Sequence, residues 1–124
     1  MINVLQADEG GTFVFTETFN DEAGVAIPLT NISSIVMTYY TADEAQAAVN
    51  ARTAQNVLNA NNCTYHATSG LFTWNGQAAD TKIINSELTT ELHRALIVLT
   101  RTNGAVKPCE VEIRIPNLQK RAVT

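Results

Sequence analysis

The sequence predicts an all-β fold, a sandwich or small barrel of about seven or eight strands with one short inserted helix. Three observations carry this expectation. Apolar residues recur at period two in short runs, β-branched and aromatic residues fill those runs, and turn chemistry interrupts them roughly every 8 to 12 residues. With 124 residues, 45% of them hydrophobic and 16% charged, the chain suits a single domain over 1–124 and is too short for a second. It has the apolar content to bury a core and is unlike a disordered tail.

Thr12 to Phe19 opens the pattern, with Phe13, Phe15 and Phe19 on one face and Val14 and threonines on the other, as in a half-buried strand. Asn20-Asp21-Glu22-Ala23-Gly24 is a turn in which Gly24 supplies positive φ. Val25 to Leu29 is extended, and Pro28 makes it an edge strand or a strand end. Ser33 to Tyr40 alternates Ile35, Met37 and Tyr39 against Val36, Thr38 and Tyr40, the pattern of a central strand. The helix is expected next. Thr41-Ala42-Asp43-Glu44 has the form of a capping box, and Ala45, Ala47, Ala48 and Val49 favour about two helical turns.

Strands resume at Asn56–Leu58, Cys63–His66 and Leu71–Trp74, with Ser69-Gly70 as a turn and Asn75-Gly76 as a hairpin signal. Residues 77–92 are polar with scattered Ile and Leu, and allow a short helical turn around Ser86–Leu92. His93–Arg101 and Val106–Ile115 flank Asn103-Gly104 and form the best hairpin in the chain. Beyond it, 117–124 is a small basic C-terminal arm.

Little in this chain carries reaction chemistry. His66 and His93 are the only histidines and are read as strand residues. Glu91 lies two residues before His93, on the same strand face if extended, but no third ligand and no HExxH frame accompany them. A hydrolase would have to use Glu87, Glu91 and His93 converging in one pocket. There is no GxSxG, GxGxxG or phosphate loop, and Asp43-Glu44 lacks the spaced oxygens of a calcium loop. The expectation is no catalysis, no cofactor and no metal. Cys63 and Cys109 lack a CxxC partner and are read as two buried thiols, a disulfide between them being the alternative. Trp74 is either a core residue or a sugar-stacking platform, and strand position favours the core. Tyr39 and Tyr40 point one ring to each sheet face, which makes them candidate exposed aromatic contacts.

The charge is −4 at neutral pH, which argues against nucleic-acid binding through a basic face. That value hides a split. Residues 1–51 hold seven acids and no Lys or Arg, whereas 52–124 hold eight cations against five acids, giving −7 and +3. Arg114, Lys120 and Arg121 gather near the closing strand and arm as candidate assembly contacts for a head-to-tail neighbour. The start has no basic n-region, and the longest apolar run, Ala95–Leu99, is too short to cross a bilayer. The expected product is therefore a soluble protein made in a cytoplasm without a signal peptide or membrane insertion.

The order of these elements resembles a family. Gly11 to Phe15 leads to Asp21-Glu22-Ala23-Gly24, then Ile27-Pro28-Leu29-Thr30, the strand at Ile35–Tyr40, Gly70-Leu71-Phe72-Thr73-Trp74 and Ala79-Asp80-Thr81. Glu91-Leu92-His93-Arg94-Ala95, the Asn103-Gly104 turn and Val111–Ile115 complete it. This is similar to the small immunoglobulin-like sandwich modules of tailed bacteriophage virions, found in baseplate, head-decoration, head-fibre and tail accessory proteins. The chain departs from them in the expected helix at 42–49 and in the long 77–92 segment. The resemblance implies an immunoglobulin-like antiparallel β-sandwich and a virion structural protein, on capsid or tail and baseplate. Its implied partners are other virion proteins and copies of itself. A carbohydrate-binding module for host attachment, using Trp74, Tyr39 or Tyr40, is the alternative.

Overall fold

A computed structural model describes residues 2–43, 45–85 and 87–117. Eight strands are present among them: β1 (Ile2–Gln6), β2 (Phe13–Thr18), β3 (Ile32–Thr41), β4 (Gln55–Asn56), β5 (Cys63–Tyr65), β6 (Leu71–Gly76), β7 (Thr90–Arg101) and β8 (Val106–Pro116). They form two sheets, one of five strands in the order β1-β8-β7-β3-β4 and one of three in the order β2-β6-β5. The fold is all-β. Helical structure among the described residues is limited to 3-10 turns at Leu29–Asn31 and Ala78–Asp80.

The β7–β8 hairpin is the longest pairing, running from Thr90↔Pro116 to Thr100↔Val106 around Asn103-Gly104. Gly104 takes φ 90°, which a side chain would resist, and Asn103 Oδ1 accepts the Ala105 amide at 3.0 Å. Strand β3 pairs antiparallel with β7 and, over Val36 and Met37, with β4. It is central, as its composition predicts. Strand β1, which hydrophobic alternation did not reveal, runs parallel to β8 from Ile2↔Glu110 to Gln6↔Arg114.

The core lies between the sheets. Ile35, Met37 and Tyr39 of β3, Ala95, Ile97 and Leu99 of β7, and Val111, Ile113 and Ile115 of β8 face Phe15, Phe72, Trp74 and Tyr65 of the smaller sheet. Full burial of each large apolar side chain contributes about 1.5–3 kcal/mol. Trp74 is the centre of an edge-to-face cluster, 4.8 Å from the Phe13 ring and 5.0 Å from Tyr39.

Four expectations need correction. No helix forms among the described residues of 41–49. The Thr41 hydroxyl accepts the Ala47 amide at 2.9 Å, Tyr40 bridges to Ala48, and buried Val49 returns its amide to Tyr39 O at 3.0 Å. Burying Val49 against the sheet outweighs alanine's helix preference, and Gln46, Asn50, Ala51 and Ala54 adopt positive φ to make the bends. Glu44 of the expected capping box lies outside the described residues. Second, Val25–Leu29 makes only the isolated bridge Asn20↔Ala26 before the 3-10 turn, not a ladder strand. Third, Asn75-Gly76 ends β6 and is not a hairpin turn. The Phe13 ring lies across Gly76, where a Cβ would come within 2.2 Å of Phe13 Cε2, so the glycine serves close approach. Fourth, Thr90–Leu92 is already strand, so no helical turn runs to Leu92.

Candidate functional site

The segment from Thr41 to Ala54 folds back along β3, and the Tyr39 amide donates to Arg52 O at 2.8 Å. That tether carries the Arg52 side chain inward to near-complete burial. Asn61 and Asn62, in the left-handed region that asparagine tolerates, close the loop over it. From the opposite side, the 3-10 turn at Ala78–Asp80 presents the Asp80 carboxylate, fully buried.

The two groups meet as a bidentate pair, Nε to Oδ1 at 2.7 Å and Nη2 to Oδ2 at 3.0 Å. Arg52 Nη1 also donates to Gln55 Oε1 at 2.7 Å and Asn61 O at 3.0 Å, and Nη2 to Asn62 Oδ1 at 3.1 Å. A guanidinium has five N–H donors, so all are used. Asp80 receives Asn50 Nδ2 at 3.0 Å and the Gln77 amide at 2.8 Å in addition to Arg52, which occupies both oxygens twice. The guanidinium carbon stands 5.7 Å from the Trp74 ring centroid, a cation–π contact.

The polar chain continues. Tyr39 donates its hydroxyl to Asp80 O at 2.8 Å and lies 3.1 Å from His93 Nδ1. The single Tyr39 proton is used on the carbonyl, so Nδ1–H is the donor in the second contact, a tautomer assigned from the network. His93 Nε2 meets Glu91 Oε2, with one proton between them. The Glu91 carboxylate also accepts the Ile84 amide at 2.8 Å and the Asn85 amide at 2.5 Å. One buried relay thus ties the 50–62 loop, the 77–81 turn and the 83–85 segment to β3 and β7.

A carboxylate, an imidazole and a hydroxyl in line have the order of a nucleophilic triad. Their environment does not suit that chemistry: His93 is fully buried and Glu91 nearly so, while burial pushes the Tyr39 hydroxyl far above its ordinary value, with Asp80 adding to the rise. Of the residues a hydrolase would need, Glu91 and His93 converge in the interior, whereas Glu87 is exposed. No group of three or more His, Cys, Asp or Glu side chains able to hold a metal occurs among the described residues. His66, exposed after β5, uses Nδ1 to accept the Thr68 and Ser69 amides at 3.3 and 3.1 Å, capping a turn.

Tyr39 is not an exposed contact, because its ring faces the core and only Tyr40 faces outward. Partly exposed Tyr40 borders a hollow of about 280 Å³ with Thr38, Gln46, Ala48 and Thr53. Trp74 is fully buried and cannot stack a sugar. Cys63 and Cys109 are free and buried, and burial raises their thiols to about 12 and about 11.

Arg114 lies on the outward face of β8 and donates to Glu112 Oε2 at 3.0 Å, while Arg94 Nη2 reaches Glu112 Oε1 at 3.7 Å. Lys120 and Arg121 fall outside the described residues. Folding also mixes the two charge halves, since Glu22 approaches Arg101 at 3.5 Å and Lys107 at 3.9 Å. Among the described residues, no helix is long and apolar enough to cross a membrane.

Removing the Tyr39 hydroxyl leaves Asp80 O and the imidazole Nδ1–H without their partner. Tyr39→Phe is expected to lower unfolding free energy by about 1–3 kcal/mol with the β-sheet circular dichroism unchanged. Urea titration measures this, and a loss below about 0.5 kcal/mol would contradict the assigned bonds.

No protein-family model matches the chain, and no curated protein matches it.

Proposed function

We propose that this chain is a non-enzymatic structural module of a bacteriophage virion, an immunoglobulin-like sandwich that works through assembly contacts on the capsid or in the tail and baseplate. The observation that carries this is saturation of the buried polar chain. Every Arg52 donor and both Asp80 oxygens are engaged internally, and Glu91 and His93 hold each other and the 83–85 backbone. The residues that resemble reactive machinery therefore act as an internal staple, and the outward-facing strands and edges are left for contact.

Strand order supports the immunoglobulin-like form. The sheet β2-β6-β5 corresponds to B, E and D of that fold, and β8-β7-β3-β4 to G, F, C and C′. The first strand lies beside and parallel to the last, on the opposite sheet from the A strand of the constant-type fold. A glycan-binding role loses two of its three candidate rings, Tyr39 and Trp74, to the core.

The test is co-sedimentation of the purified protein with phage particles or empty shells. Wild type is expected in the particle fraction. Lys120→Glu with Arg121→Glu is expected to lower occupancy about tenfold, the equivalent of two exposed ion pairs lost, with little change in thermal midpoint. Absence from every particle fraction would refute the virion role. Unchanged occupancy in the double variant would remove the arm's charge from it.

A further inference from the structure

Among the described residues, the two sheets leave four strands at their edges. Strands β4 and β5 are two and three residues long, too short to template another chain, and β1 has five. Strand β2 is the longest at six residues, and its register with β6 is unbroken from Phe13↔Gly76 to Thr18↔Leu71. No described backbone group bonds to its other side. A hollow of about 230 Å³ is bordered by Asn3 of β1 and by Glu17 and Thr18 of β2, and no backbone hydrogen bond joins the two strands among the described residues.

Free edges in natural sheets are guarded by lysine, proline, bulges or inward charges. The β2 sequence, Phe-Val-Phe-Thr-Glu-Thr, has no cation, no proline and no bulge, and its only guard is Glu17, a part-buried charge on the inner row with Phe13 and Phe15. Val14, Thr16 and Thr18 make up its exposed outer row, all β-branched and uncharged.

We infer that β2 pairs antiparallel with β2 of a second copy of this chain, about a two-fold axis at Thr16, joining two three-stranded sheets into one of six strands. The sequence is self-complementary in that register. Thr16 meets the partner's Thr16, and Val14 meets the partner's Thr18, cross-strand pairs of the favourable β-branched kind. Glu17, the one charge in the strand, sits directly opposite the partner's Phe15, and the partner's Glu17 is its diagonal neighbour on the same face. Such an interface is isologous and closes at two copies, leaving the rest of each surface open to other neighbours. The inference deepens the assembly role and rests on it only for its purpose, because the edge pairs in the isolated protein whatever particle it serves.

Sedimentation equilibrium of the full chain tests it. A concentration-dependent dimer is expected up to about 100 µM. Thr16→Lys, which sets two ammonium groups against each other at the axis, is expected to weaken the dimer at least about tenfold, and Thr16→Val to retain it. If Thr16→Lys does not fold by circular dichroism, Val14→Lys gives the same readout one pair away from the axis. A protein that stays monomeric up to about 100 µM, or a dimer that a folded lysine variant leaves intact, would overturn the inference. Particle co-sedimentation is read separately, so a monomer that still joins particles rejects the β2 pairing alone, and a dimer absent from particles rejects the virion role alone.

Discussion

Asp80→Ala is expected to destabilise the protein by about 3–5 kcal/mol, a large share of a total near 5–15 kcal/mol. The loss comes from what remains. Arg52 keeps its charge in a site with almost no solvent, and two of its five donors lose their acceptor. The Gln77 amide and the Asn50 side chain lose theirs as well. Replacing both members, Arg52→Met with Asp80→Leu, is expected to cost less than Asp80→Ala alone, because no unpaired charge is then buried. Urea denaturation measures both variants, and a single-variant loss under about 1 kcal/mol would show that water reaches Arg52 and compensates it.

Glu91→Ala is expected to have a similar effect, about 3–5 kcal/mol, at the other end of the relay. It strips His93 Nε2 of its partner and leaves the Ile84 and Asn85 amides without an acceptor. The consequence has a local signature: amide exchange at Ile84 and Asn85 should quicken far more than in the β7–β8 ladder. Glu91→Gln, which keeps a carbonyl oxygen and gains an N–H donor, should recover part of the stability. If Glu91→Ala stays within about 1 kcal/mol of wild type and both amides remain protected, the carboxylate does not hold that segment.

Residues that alternate beside a turn signal were legible in the sequence. Strand β3 and the hairpin around Asn103-Gly104 follow from period-two patterning and local turn chemistry, which act over a few residues. What was illegible depends on distant partners. Strand β1 is defined by pairing with residues more than a hundred positions away, and its short Ile-Asn-Val-Leu-Gln run alternates weakly. The expected helix failed because Ala45, Ala47 and Ala48 express a local preference that burial of Val49 overrides. The Arg52–Asp80 pair spans 28 positions with no period linking them. Its one trace was that Arg52 is the only cation before Lys82, in a stretch rich in asparagine. Alternation required one of Tyr39 and Tyr40 to point inward but did not distinguish which, and that choice decided whether the relay had a middle.

The parallel alignment of β1 with β8 has a mechanical consequence. The chain enters β1 at Ile2 and leaves β8 at Pro116, so tension on the two ends drags the strands past each other along their length. Their backbone hydrogen bonds are then loaded together, in shear, where a hairpin pulled from its open end would release them one at a time. Resistance to force is set by the unfolding barrier and not by equilibrium stability. The five residues of β1 are thus the pairing loaded in shear when the domain is stretched between its ends.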